Sequence, residues 1–412
     1  MKTLIPILSA VLFLFGMASA NSGPKEISRA ELRDKIHGYW IGQIAGNYLG
    51  FPFENLYEEE PIPILIDRYY DYRDAGPADL KMNLTDRRSF TPIMADAMGG
   101  AWSDDDTDIE FVTLHAVELH GLDMSYEDLM GIWKVHVNRF IWAAARNARD
   151  LMEEGVSPPE TGSRERNARW FGISSQLMTE IWGAFYPGMP ERAGERAEWN
   201  AKMLSDEWAT HPDIAYVSMY SSAFFEDDVK VLVDRAIAAL PEASPYRQGM
   251  EDVREWKAQY SDWRDARKRM HERYFERIDG VLIDYPLGGA VINGLAGTMA
   301  ILYGEGDYLK TVSIATSLGY DCDNQAATCG GLLGIMHGGS SIPERLTLDL
   351  PSRGRWEEPF NDLYINYSRD GLPNVTRISD IVDRILAIAE RAILENGGQK
   401  VGSGENSVYR IP

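Results

Sequence analysis

The chain has 412 residues and carries 41 Lys and Arg against 63 Asp and Glu, a formal net charge of −22 at pH 7. A charge of that sign repels nucleic acid and anionic lipid, which sets both aside as partners. Only two cysteines occur, Cys322 and Cys329, so no disulfide framework is available and core packing must carry the stability.

At the start, Lys2 precedes an apolar stretch over residues 4–15 and then Ala18-Ser19-Ala20, the pattern of a secretory signal peptide with a small-residue cleavage site. No segment reaches the roughly 18 to 20 uninterrupted apolar residues that a membrane helix needs. Residue 21 is Asn rather than Cys, which argues against a lipid anchor. The expectation is a periplasmic or secreted protein from which residues 1–20 are removed.

Gly38, Gly42, Gly46 and Gly50 follow at intervals of four, which places them on one face of a helix and lets another backbone approach closely. Gln43 and Asn47 interrupt the apolar run, so the pattern reads as close packing in a soluble core. Beyond Phe51-Pro52-Phe53 stands Glu54, a carboxylate in an aromatic setting where a raised pKa would suit proton transfer. Taken alone, Glu54 also reads as an ordinary surface residue.

Ser103-Asp104-Asp105-Asp106-Thr107-Asp108 is the most acidic short run, flanked by Gly99-Gly100 and by apolar Ile109 and Phe111. Adjacent carboxylates repel, and desolvation adds to the cost, so such a run faces water, takes up protons or binds a cation. The plainer alternative is an acidic loop capping a helix that begins near Thr107.

Apolar residues at Val229, Leu232, Val233, Ala236, Ile237 and Leu240 give the spacing of a buried helix face, stopped by Pro241. Residues 250–274 read as one long amphipathic helix with Val253, Trp256, Tyr260, Trp263 and Met270 on its apolar side. Gly319-Tyr320-Asp321-Cys322-Asp323-Asn324 then forms a D-x-D-N turn at a helix start, followed by a small-residue segment through Gly330, Gly331 and Gly334. Hard oxygen donors at that spacing suit magnesium or calcium, although Asp also commonly caps helices. The seven histidines are scattered and none is assigned to a metal. A last helix is predicted from Ile381, Val382, Ile385, Leu386 and Ala389, between Ser379 and Gly397. Period-2 alternation is scarce, so the fold class expected is all-α, a helical bundle with long connections over 61–79, 157–166 and 349–374.

Three segments together resemble the ADP-ribosylglycohydrolase family. Its G-D-x-x-G-x-x-x-E pattern is matched by Gly46-Asn47-Tyr48-Leu49-Gly50-Phe51-Pro52-Phe53-Glu54, its T-D-D-T run by Asp104-Asp105-Asp106-Thr107, and its G-x-D-x-D-T turn by the residues from Gly319 to Asn324. Trp182-Gly183, Pro187-Gly188-x-Pro190 and Thr210-His211 look like the middle of exported and bacterial members. The resemblance covers most of 35–345, leaving 346–396 as a C-terminal loop and helix within a single domain over 21–412.

The resemblance implies an all-α, orthogonal bundle holding two magnesium ions, with manganese as a substitute. Carried over by position, Asp104, Asp105, Asp106, Asp321, Asp323 and Asn324 become metal ligands, Glu54 the acid and base, and Asn47 and Tyr320 residues lining the substrate. Aligning on Trp102 instead makes Ser103, Asp104 and Asp105 the ligands of the first run. The chain departs from the family where Asn47 replaces Asp, Asp104 replaces Thr, Asn324 replaces Thr, and Tyr320 stands where a small residue is common. The activity implied is magnesium-dependent hydrolysis of an ADP-ribosyl or related furanosyl bond, on a small molecule or a conjugate. The competing expectation is a catalytically idle protein that keeps the dimetal site to hold a ligand.

Overall fold

The computed structural model describes residues 25–70, 74, 80–83, 99–275, 277–278, 281–282, 289–350 and 354–412. The expected signal peptide, residues 1–20, lies outside them.

Two helices form the centre. Ser28 caps the first, Arg29–Gly50, its hydroxyl accepting from the Glu31 backbone nitrogen at 3.1 Å, and Pro52 in the following turn Phe51–Phe53 ends it. The second, Cys322–His337, is buried from Cys322 through Met336. Their glycines meet in antiparallel register. An ideal Cβ on Gly38 would lie 2.1 Å from the Gly334 carbonyl oxygen, one on Gly42 2.3 Å from that of Gly330, and one on Gly46 2.0 Å from that of Ala326. On Gly50 it would fall 2.4 Å from Asp323 Cα. A side chain at any of these positions would drive the helices apart, so the four-residue glycine spacing dictates how closely they pack and brings Glu54 to the start of the second helix.

Around this pair stand Asp105–His120, His211–Ala223, Ala290–Gly304 and Tyr308–Ser317, all largely buried. Val229–Ala239 begins at an Asp228 cap, and the C-terminal helix Ile378–Glu395, which packs directly on Arg29–Gly50, buries Ile381, Val382, Ile385, Leu386 and Ala389. The expected single helix over 250–274 is two helices, Pro245–Gln259 and Trp263–Tyr274. The second has its own cap, Asp262, whose side chain accepts from the Arg264 backbone nitrogen at 3.0 Å. The apolar period runs on through the break, which hides it from a periodicity argument.

The expected connection over 349–374 contains a strand. Leu363–Ile365 pairs in parallel with Ala101–Trp102 and antiparallel with Val375–Arg377. Residues directly before the acidic run are thus held by the C-terminal segment, and the ladder extends to Ser103, whose backbone nitrogen donates to the Ile365 carbonyl at 2.9 Å. A second small sheet ties Glu26–Ser28 to Val408–Arg410 and Gln399–Val401. The fold is nonetheless all-α in its core. Among the described residues, no helix is long and apolar enough to cross a membrane. Cys322 and Cys329 are both free and buried.

Candidate metal centre

Two helix N-termini converge where the motifs meet. Asp104 takes extended backbone angles (φ −134°, ψ 165°) and caps Asp105–His120, its carbonyl accepting from Thr107 and Asp108 at 3.0 and 2.8 Å. On the other side Gly319 and Tyr320 are both left-handed, at φ 80° and 63°. For Gly319 this conformation is inexpensive, and a Cβ there would strike the Tyr57 carbonyl at 2.0 Å. For Tyr320 it is strained, and two backbone hydrogen bonds hold it: Tyr320 N to the Tyr57 carbonyl at 2.9 Å and Asn55 N to the Tyr320 carbonyl at 3.0 Å. The same turn starts the helix at Cys322 and delivers Asp321 and Asp323 beside Glu54.

The carboxylates fall into two groups. Glu54, Asp321 and Asp323 form one, and Asp104, Asp106 and Asp323 the other, with the candidate oxygens of each group within 4.8 Å of one another. Asp323 is common to both. Its Oδ1 is buried without a hydrogen-bond partner. Burial raises the pKa of Asp106 well above the usual carboxylate range, and the charges of Asp104, Asp105 and Asp321 push it further. The same happens to Asp323, through burial and then Glu54, Asp106, Asp321 and Asp104. Removing several anions from water at one point is unfavourable unless a cation compensates them. The residues fit a divalent ion: all donors are hard oxygens, and a buried acceptor is left over.

Asp105, expected as a ligand, belongs to neither group and is only partly buried. Of the two registers considered, the geometry gathers Asp104 and Asp106, while the Ser103 hydroxyl meets that of Ser368 at 2.7 Å. Asn324 faces Asp106 through its nitrogen, Nδ2 donating to Oδ1 at 2.8 Å, and its own oxygen accepts from Gln325 Nε2 at 2.9 Å. Asn47, expected to line the substrate, is 3% exposed and donates to Asp106 Oδ2 at 2.8 Å and Asp104 Oδ2 at 3.3 Å. Tyr320 has no exposed surface; its hydroxyl meets His271 Nδ1 at 3.0 Å, and the Arg267 guanidinium lies 4.5 Å from its ring centre. Arg267 also donates to the carbonyls of Leu318, Glu58 and Glu59, tying the segment after Glu54 to the turn before Asp321.

Supporting contacts came from residues without a sequence signal. Arg369 pairs with Asp108 behind the acidic run, and Ser368 donates to the same carboxylate. The Asp321 backbone nitrogen donates to Asn293 Oδ1 at 3.1 Å. Deeper in the core, Glu180 accepts from Gln43, Tyr220 and Thr328, and burial pushes it up to about 7.

An all-α core thus carries, between two helix N-termini, a cluster of carboxylates able to hold a divalent cation. The sequence profile of the ADP-ribosylglycohydrolase family matches residues 28–373, and the chain belongs to that family. A chain of an ADP-ribosylglycohydrolase-related protein complex shares the fold, at 17% identity and a TM-score of 0.52, over 88% of this chain and 99% of that one. None of the curated proteins matches the chain significantly.

Proposed function

We propose that the protein is an exported, magnesium-dependent glycosyl hydrolase that cleaves an ADP-ribosyl or related furanosyl bond. The observation that carries this reading is the sharing of Asp323 by two three-carboxylate groups, one of which contains Glu54. Asp104, Asp106 and Asp323 would hold one magnesium ion, and Asp321 and Asp323 the second, with Glu54 beside it. Bound magnesium orients ribose hydroxyls and lowers the pKa of a coordinated water.

This chain's own residues do the rest. Glu54 is 8% exposed, its Oε1 accepts from Asn55 Nδ2 at 3.1 Å, and its carboxyl group is the one that would move a proton at the anomeric bond. Asn47 and Asn324 present neutral amides to Asp106, so its carboxylate is oriented without adding charge. Export follows from the reading of residues 1–20 and points to furanosides, nucleosides or ADP-ribose conjugates met outside the cytoplasm.

The test is a screen of those three substrate classes with the purified chain from residue 21, with magnesium and with chelator. Magnesium-dependent release of a free sugar supports the hydrolase. Tight binding of the same compounds without turnover supports instead the idle dimetal binder.

A further inference from the structure

Both Asp106 oxygens accept from amide nitrogens, Asn47 Nδ2 and Asn324 Nδ2, each at 2.8 Å, and this polarity continues along a chain of buried amides. Asn324 turns its nitrogen toward Asp106, so its oxygen faces the other way and takes the Gln325 nitrogen at 2.9 Å. Gln325 is thereby committed as well. Its Oε1 ends the chain, buried and without a partner. Space for that oxygen is provided by Gly297, where a Cβ would lie 2.5 Å from Gln325 Oε1 and 2.2 Å from the Tyr216 hydroxyl. The Tyr216 hydroxyl itself donates to the Gly294 carbonyl at 2.6 Å.

An unsatisfied acceptor in a site with no exposed surface costs stability, and an apolar side chain of the same length would avoid it. Gln325 is therefore explained by what its nitrogen does. We propose that Gln325 is a positioning residue of the metal centre: it fixes the amide of Asn324, which together with Asn47 holds Asp106 toward Asp104 and Asp323. Asn324 acts through its nitrogen rather than as a ligand. This inference rests on the reading of the carboxylates as a divalent-cation site.

Magnesium chloride titrated calorimetrically into the wild type, Gln325→Met, Asn324→Ala and the double variant tests it, with melting temperatures of the metal-free proteins alongside. Gln325→Met is expected to weaken magnesium roughly 10- to 100-fold, the range for lost outer-shell partners, while its metal-free melting temperature does not fall. The double variant should bind no more weakly than Asn324→Ala alone, because Gln325 acts through Asn324. Unchanged affinity in Gln325→Met, or losses that add in the double variant, would overturn the proposal. If the wild type itself binds no magnesium, the metal reading falls first and the proposal with it. Should Gln325→Met not fold, Gln325→Leu provides the same comparison.

Discussion

Asp108 and Arg369 form an ion pair at 2.6 Å in which neither side chain has any exposed surface. The arginine also donates to the carbonyls of Arg139 and Phe140, at 2.7 and 3.0 Å, and so fastens the C-terminal segment behind the acidic run. Breaking one member leaves the other charged and buried. Arg369→Met is expected to lower stability by about 3–5 kcal/mol, measured by chemical denaturation, and Asp108→Asn with Arg369→Met should recover part of that loss. A loss below about 1 kcal/mol in the single variant would show that the pair does not hold this segment.

Asp213 gives a pH dependence away from the metal centre. Burial pushes its carboxyl up to about 8, against the hydrogen bonds donated by Thr179 and Ser175. The folded protein therefore keeps a proton that the unfolded chain releases at a pH of about 4. Its effect on stability is fully favourable below that pH, declines as pH rises toward 8 and is constant above. Asp213→Asn removes the proton uptake. With chelator present, the variant's melting temperature should gain on the wild type by several degrees between pH 5 and pH 8.5, and parallel curves would contradict the buried neutral acid.

How much of this was legible depends on the distance over which each residue's role is decided. Glycines at 38, 42, 46 and 50 announce a close helix contact because their spacing is local, although the partner glycines Gly330 and Gly334 are identified only by the packing. The two acidic motifs mark the candidate metal centre, but which of Asp104, Asp105 and Asp106 turn inward depends on the extended backbone at Asp104, set by a strand pairing with residues 363–365. Strands of two or three residues leave no periodic trace. Arg369 and Gln325 were invisible for a related reason: a buried polar side chain is defined by its partners, and Asp108 lies 261 positions before Arg369. The break before Trp263 was readable in principle, since Asp262 is an N-cap residue type in the middle of the apolar period.

Glu54 separates binding from chemistry. Glu54→Gln keeps size and the contact with Asn55 but removes the group proposed to move a proton. Turnover should fall by a factor of order 10² or more, measured on whichever substrate the screen yields, while magnesium affinity falls far less because Asp321 and Asp323 remain. Equal losses in both would make Glu54 a ligand first, and unchanged turnover would remove it from the mechanism.

Asp323 stands in both carboxylate groups, so one substitution addresses the whole centre. The direct measurement is a calorimetric titration of magnesium into the wild type and Asp323→Ala, each checked for folding by circular dichroism. Two ions binding the wild type and none binding the variant tightly is the predicted result. A variant that retains a tight site, or a wild type whose metal binding is indifferent to Asp323, would contradict a shared dimetal centre.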